Sequence, residues 1–449
     1  MSSNAKELHD LVYKVQPGGT LQGDIRVPGD KSISHRSIML GSLADGVTTV
    51  DGFLEGEDAL ATLQAFRDMG VRIDGPAKGK VTIHGVGVRG LKEPKKALYC
   101  GNSGTSMRLL SGLLAGQSFP SVLTGDSSLS KRPMKRVAEP LKKMGADIML
   151  QEGGVSPIHI KPARLRPIDY AMSVASAQVK SCLILASLYV EGTSRITEPA
   201  PCRDHTERML RGFGYPLQVD GNSVSVTGGG HLKAMHIDVP ADISSAAFFL
   251  VGASICPGAD LVLRHVGINP TRVGVINILR QMGASLEFLR EYEAGGEPVA
   301  DIRVRYAPLK GICIPEDQVP LAIDEFPALF IAAACADGDT VLSGAEELRV
   351  KESDRIQTMA DGLTVLGVSH SVKADGIVIT GKGAGGALGS GTITSHGDHR
   401  IAMSFTMASL RATGPIEILD CNNVATSFPG FAELVLGCGI RLHEARQPS

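Results

Sequence analysis

Two kinds of apolar segment alternate along this chain, and each recurs six times at intervals of roughly 70 residues, longer than the usual solenoid repeats. The first kind has an amphipathic helical pattern, stops at a glycine and passes at once into an alternating stretch. Its copies run through 60–73, 141–148, 209–214, 278–284, 363–368 and 434–440, with Gly70, Gly145, Gly214, Gly283, Gly367 and Gly439 at the breaks. Glycine just past the last helical turn supplies a left-handed C-cap, so each copy is predicted to be a helix that gives way directly to a strand. The second kind is apolar on all sides, the pattern of a buried helix. Its copies start near Ser32, Ser103, Ser176, Asp242, Asp324 and Asp398 and end at 44–46, 115–116, 191–192, 257–258, 337–338 and 413–414. A β-rich stretch follows each, at 48–50, 121–123, 194–196, 261–263, 340–342 and 416–418.

Each repeat therefore carries two helices and several strands, an α/β unit. At 449 residues the chain is too long for one ordinary core, and two domains of three repeats are expected. Val27-Pro28-Gly29 resembles Val239-Pro240-Ala241, as two segments crossing between the same lobes would. The predicted division is a discontinuous domain of residues 1–27 plus 241–449 and an inserted domain of 28–240, with the N-terminal strand belonging to the former. Residues 1–11 and 445–449 are polar and expected to be loose.

Bulk composition narrows the function. A formal net charge of -2 and a pI near 6.6 argue against a nucleic-acid partner. The longest apolar run, 246–256, is too short to cross a bilayer, and no secretory signal opens the chain. Eight scattered cysteines without CxxC spacing read as reduced thiols of a cytoplasmic protein, not as a disulfide framework or a zinc site. No metal site is expected. Gly85-Val86-Gly87-Val88-Arg89-Gly90 matches GxGxxG, but Leu91-Lys92-Glu93-Pro94 cannot open the helix that motif requires, so it reads as a turn.

The chemistry concentrates at the helix starts. Pro28-Gly29 delivers Asp30, Lys31, Ser32 and Arg36 to the first buried helix, and Asp30 excludes a Walker A loop. Asn102, Ser103, Gly104 and Arg108 open the second, Ser176-Ala177-Gln178 with Lys180 the third. Asp242, then Asp324-Glu325, then Asp398-His399-Arg400 open the rest. Starts of the other helices add Arg132, Arg203 and Lys351-Glu352-Ser353-Asp354-Arg355. Ser, Asn or Asp at such a position is ordinarily a cap worth about 1 kcal/mol, the reading adopted for Asp242 and Asp354. Asp204 with Glu207 reads as a capping box. Lys31, Arg36, Arg108, Arg132, Arg203, Lys351, Arg355 and Arg400 do not fit that account, because cations repel the positive end of a helix. Two or more bound anions would resolve the conflict, with Asp324, Glu352 and His399 as acid–base candidates among them. A repeat-built scaffold, the non-enzyme alternative, would show no such convergent charge.

Taken together, GDKSISHR, GNSGTSMR, KRPM, ASAQVKS, RDHTE, NPTR, DEFP, LRVKESDR, DHRIAMSF and TSFP resemble the 5-enolpyruvylshikimate-3-phosphate synthase family from about Gly18 to Arg441. Gly29-Asp30-Lys31, Ser176-Ala177-Gln178-Val179-Lys180, Arg203-Asp204-His205-Thr206-Glu207 and Asn269-Pro270-Thr271-Arg272 are similar to its second class, associated with glyphosate tolerance. Thr426 stands where the first class has a phosphate-binding lysine. Gly104 stands where the best-known tolerant members carry alanine. The sister enolpyruvyl transferases acting on UDP-N-acetylglucosamine use a loop cysteine, and no cysteine here stands in a comparable basic loop.

The resemblance implies a two-domain enolpyruvyl transferase fold of six βαβαββ-type units, helices inside and sheets outside, with the active site in the cleft between the domains. It implies a monomer that needs no cofactor and takes shikimate 3-phosphate and phosphoenolpyruvate as its small-molecule partners. Lys31 would face both substrates. Ser32, Arg36, Ser176, Ala177, Gln178, Arg203, Asp324 and Lys351 would serve shikimate 3-phosphate. Asn102, Gly104, Arg108, Arg132, Gln178, Arg355 and Arg400 would serve phosphoenolpyruvate. Asp324 would be the base on the 5-hydroxyl, with Glu352 and Lys31 as the proton pair at the methylene carbon and His399 as a further candidate.

Overall fold

The computed structural model describes residues 11–446. The chain forms two compact units. A middle unit holds Pro28–Pro240 together with Glu293–Pro298; a flanking unit holds, of the described residues, 11–27, Ala241–Tyr292 and 299–446. Residues 293–298 are the tip of a hairpin whose strands, Ser285–Ala294 and Glu297–Arg305, otherwise run in the flanking unit. In the middle unit Glu297 meets His205 at 2.8 Å, both side chains almost fully buried, which anchors the tip there. Local pattern gives no hint of it.

The middle unit carries α1 (Lys31–Leu43), α2 (Glu57–Asp68), α3 (Gly104–Ala115), α4 (Lys135–Lys143), α5 (Ala177–Ser187) and α6 (His205–Gly212). The flanking unit carries α7 (Ile243–Ile255), α8 (Gly274–Gln281), α9 (Phe326–Cys335), α10 (Arg355–Val365), α11 (His399–Ala408), the single turn α12 (Val424–Ser427) and α13 (Phe431–Cys438). Each unit has one apolar core. Helices apolar on all sides fill it: all 13 residues of α7 and all 10 of α9 are buried. In the middle unit α3 and α5 touch backbone to backbone at Gly112, where a Cβ would lie 2.0 Å from the Cys182 carbonyl. The six glycines that end the amphipathic helices all have positive φ, from 64° at Gly367 to 112° at Gly439, the conformation the C-caps require.

Among the described residues six small sheets complete the repeats, and their strand order shows why the chain divides as it does. In the middle unit, Leu98–Tyr99 pairs parallel with Ser121–Thr124, which pairs antiparallel with Val155–Lys161, which pairs antiparallel with Asp147–Gln151. Asp169–Ala171, Thr193–Thr197, Ser223–Thr227 and Leu217–Asp220 repeat the pattern. In the sheet around Ala44–Asp51 the parallel partners are Leu232–Lys233 and His236–Asp238, from the far end of the unit. The N-terminal strands do the reverse in the flanking unit. Gln22–Ile25 is the parallel partner of Asp260–Gly267, and Leu11–Val15 is inserted between Ile416–Leu419 and Leu442–Arg446, with Tyr13 opposite Ile418 and Glu444.

Several boundaries differ from the sequence pattern. The third buried helix ends at Ser187, short of Gly192, and the sixth passes into a 3-10 turn at Ser409–Arg411. The fifth begins at Phe326, with Glu325 in the N-cap position, so Asp324 lies outside it. Leu11 and 445–446 are strand, tied down by pairing; residues 1–10 and 447–449 of the expected loose ends lie outside the described residues. Segment 85–90 is a strand end and turn, with Gly87 at φ 79°. All eight cysteines are free, six of them buried. No helix among the described residues is long and apolar enough to cross a membrane.

Candidate active site

In the middle unit the expected binding residues lie at or near helix starts, most of them those of the buried helices. Asp30 caps α1, its carboxylate accepting from the Ile33 N–H at 2.8 Å, and this puts Lys31 in the first turn. There the Lys31 ammonium forms an ion pair with Asp58 of α2, whose carboxylate is almost buried. Arg36, one turn on, is buried and donates to Thr206 Oγ1 at 2.6 Å, Ser181 Oγ at 2.8 Å and the Ser32 carbonyl at 3.0 Å. Burial pushes its guanidinium down to about 10, opposed by the nearby charges of Glu207 and Asp30, and Arg203 pushes in the same direction as burial; it still carries its charge at neutral pH.

Around α3 the groups interlock. Ser103 caps the helix. Arg108 donates to Gln178 Oε1 at 2.5 Å, and Gln178 Nε2 donates to Thr105 Oγ1 at 2.9 Å, joining the starts of α3 and α5. Arg132 donates to Asn102 Oδ1 at 2.6 Å, and Asn102 passes its own amide to Asp126 at 2.6 Å. Gly104 lies beside both arginines: a Cβ there would be 3.0 Å from Arg108 Nη1 and 3.5 Å from Arg132 Nη1. Ser176 caps α5 by accepting from Val179 N–H at 3.4 Å, and Ala177 is its first residue. Arg203 stands just before α6.

The flanking unit gathers the acid–base candidates around Arg355. This arginine is 1% exposed and touches three carboxylates: Nε to Asp398 at 2.9 Å, Nη2 to Glu352 at 2.5 Å and Nη1 to Asp324 at 3.4 Å. Together they hold it charged, against the cost of burial. Lys351 lies 3.7 Å from Asp324. Arg400 donates to the Asp324 carbonyl at 2.9 Å, and Asp398 caps α11 through the Arg400 N–H at 2.9 Å. His399, the first residue of α11, is buried. Thr426 lies in α12, its hydroxyl donating to the Asn423 carbonyl at 2.6 Å.

Two expectations need correction. The capping box at α6 does not form: Asp204 makes no cap bond and pairs with Arg208 at 2.9 Å, while Glu207 pairs with the buried Lys180 at 2.7 Å. A buried ammonium is a stronger claim on a carboxylate than a backbone N–H. The second concerns the cations at helix starts. Bound anions are not the only compensation open to them, because Asp58 answers Lys31 and three carboxylates answer Arg355. Asp242 and Asp354 are caps as read, accepting from Ser244 N–H at 2.8 Å and Gln357 N–H at 3.1 Å.

Sequence reasoning passed over Asp58, Asp126, Ser181 and Thr206, which carry no local signal, and His35. The last is fully buried under Lys31 and Arg36, with Nδ1 2.8 Å from Thr62 Oγ1. Burial first, then those two cations, hold its pKa well below the usual histidine value, so it is neutral in the folded state. The unfolded chain takes up this proton near pH 6.5 and the folded one only at lower pH, so stability is complete above about 6.5 and falls as pH drops below it. His35→Gln should flatten the loss between pH 7 and 5.5 in urea titrations, where one such group contributes at most about 1.4 kcal/mol per pH unit.

A sequence model of the family described as EPSP synthase (3-phosphoshikimate 1-carboxyvinyltransferase) matches residues 15–435. The chain belongs to the EPSP synthase family. It is 66% identical over 432 residues to the 3-phosphoshikimate 1-carboxyvinyltransferase of Methylococcus capsulatus, covering 96% of this chain and 98% of that one. The corresponding enzyme of Alkalilimnicola ehrlichii is 63% identical, with 96% of each chain covered. Among solved structures, an EPSP synthase from Acinetobacter baumannii aligns with a TM-score of 0.89 at 60% identity, over 97% of this chain and all of that one. The enolpyruvyl transferase NikO from Streptomyces tendae aligns at 0.80 with 15% identity, over 98% of this chain and all of that one, which establishes the shared fold alone.

Proposed function

We propose that this protein transfers the enolpyruvyl group of phosphoenolpyruvate to the 5-hydroxyl of shikimate 3-phosphate and releases inorganic phosphate. This is a step of the shikimate pathway, which leads to chorismate and the aromatic amino acids. The observation that carries the reading is the flanking-unit cluster, where Asp324, Lys351, Glu352, Arg355 and Arg400 adjoin one another in a chain that belongs to this family. The reaction needs a base at the hydroxyl, a proton donor and acceptor at one carbon, and cations for two phosphates and two carboxylates.

In this reading Asp324 takes the proton from the 5-hydroxyl as that oxygen bonds to the central vinyl carbon. The methylene carbon gains a proton from Lys31 or Glu352 and becomes a methyl. Expulsion of phosphate and loss of one methyl proton restore the double bond. Ser176, Ala177, Gln178, Ser32, Arg36 and Arg203 hold shikimate 3-phosphate. Asn102, Arg108, Arg132, Arg355 and Arg400 hold phosphoenolpyruvate beside Gly104. Turnover in D2O tests the sequence of steps: deuterium should enter the vinyl methylene of the product, because a methyl intermediate mixes solvent hydrogen with the original pair. Product free of deuterium there would contradict it.

We further assign the chain to the family's second class, supported by the motifs around Lys31, Gln178, Arg203 and Arg272 and by Thr426. Its response to glyphosate then turns on Gly104. An alanine methyl would lie 3.0 Å from Arg108 Nη1 and in ordinary contact with Arg132 Nη1 at 3.5 Å, so it would push the flexible end of Arg108 and not the backbone. Overpacking costs typically about 1–3 kcal/mol, and the longer inhibitor should bear more of it than the substrate. Gly104→Ala should therefore raise the glyphosate inhibition constant by about tenfold or more and the KM for phosphoenolpyruvate by less. Equal rises in both constants would remove position 104 from the discrimination.

A further inference from the structure

Glu325 is a buried carboxylate to which the reaction gives no task. It occupies the N-cap position of α9 but makes no side-chain cap bond, so its charge is not spent on its own helix. The residue is 2% exposed, and leaving a carboxylate there without a cation would be costly. One guanidinium adjoins it directly and a second reaches it through a hydroxyl. Arg400 Nη1 lies 3.8 Å from Glu325 Oε1. The Ser244 hydroxyl donates to the same Oε1, and Ser244 accepts from Arg272 Nη2 at 2.7 Å. Arg272 is itself buried and anchored on the cap residue Asp242 at 3.2 Å.

The direction of this relay is fixed by chemistry. A guanidinium only donates and a carboxylate only accepts, so the single hydroxyl proton of Ser244 must point at Glu325. The relay ends at Arg400, whose Nη1 is also held by the Asp324 carbonyl at 2.9 Å. An arginine tied by one hydrogen bond and paired with a buried carboxylate 3.8 Å away has less freedom left to lose when it meets an anion. The relay joins NPTR to DEFP, with Arg272 in the first and Glu325 in the second.

We propose that Glu325 is a positioning residue, held by Arg272 through Ser244, that orients the Arg400 guanidinium for an anionic group of phosphoenolpyruvate. The proposal rests on the reading that Arg400 binds this substrate. Glu325→Gln keeps the shape and the acceptor for Ser244 but removes the charge. It should raise the KM for phosphoenolpyruvate by about tenfold or more, the scale of a charged contact, with the KM for shikimate 3-phosphate and kcat changed far less. Ser244→Ala, which breaks the relay without touching a charge, should raise the same KM by about threefold to tenfold. In an Arg400→Ala background, Glu325→Gln should add nothing.

The outcomes separate the proposal from its premise. If Arg400→Ala raises the KM for phosphoenolpyruvate and Glu325→Gln does not, the positioning role is overturned while the substrate reading stands. A fall in thermal stability for Glu325→Gln without the KM split also overturns it, because that is what a purely structural carboxylate would give. If Arg400→Ala itself leaves this KM unchanged, the assignment of Arg400 fails and the proposal with it. Full additivity of the two substitutions would mean that Glu325 acts through some other group, which also rejects the proposal.

Discussion

Replacing Lys31 by methionine is expected to abolish turnover and to weaken both substrates. The ammonium would be shared between two anions, and a charge-assisted contact in a closed site is worth roughly 1.5–3 kcal/mol, against about 0–1 for a surface pair. The ion pair with Asp58 offers a competing account, in which Lys31 merely ties α1 to α2. Lys31→Met alone would then act by leaving a nearly buried carboxylate uncompensated, a stability loss smaller than the roughly 3–5 kcal/mol of a fully buried pair because the Lys31 side chain is 25% exposed. The double variant Lys31→Met with Asp58→Asn separates the two. It should regain much of the thermal stability and none of the phosphate release. Recovery of near-normal release would place Lys31 in the scaffold.

Asp324→Asn should leave shikimate 3-phosphate binding within severalfold and lower kcat by about a hundredfold or more, the usual scale for a lost general base. The geometry weakens one rival explanation in advance, since Asp324 lies outside α9 and the N-cap position belongs to Glu325. A second rival is that Asp324 is needed only to balance Lys351 and Arg355. Asparagine fails at that too, so the pH profile must decide. A lost base removes the acidic limb of kcat/KM, whereas a lost counter-charge lowers activity and leaves that limb in place. Retention of the limb would reassign the proton transfer to another carboxylate.

What could be read from residues alone follows from the range of the forces involved. The six glycine-capped helices, their buried partners and the strands after them depend on neighbours a few positions apart, and the structure contains them all. The caps at Ser103, Ser176, Asp242, Asp354 and Asp398 are equally local. Charge pairing is not. Asp58 reaches Lys31 from the next helix, Lys180 draws Glu207 away from its cap, and Glu297 meets His205 across 92 positions. Each of these choices depends on which cations the tertiary packing buries, a quantity no local pattern carries. Cations do stand at the helix starts, and carboxylates of the protein itself compensate Lys31 and Arg355 there. Roles for individual residues, including Glu352, His399 and Arg203, come from the family resemblance and stand as proposals for mutagenesis.

The most direct measurement is phosphate release by the purified protein. Shikimate 3-phosphate and phosphoenolpyruvate together should give inorganic phosphate in equal amount to the enolpyruvyl ether, and neither substrate alone should give any. Phosphate formed from phosphoenolpyruvate alone, from shikimate 3-phosphate alone, or from the pair without the ether, would contradict enolpyruvyl transfer as the activity of this site.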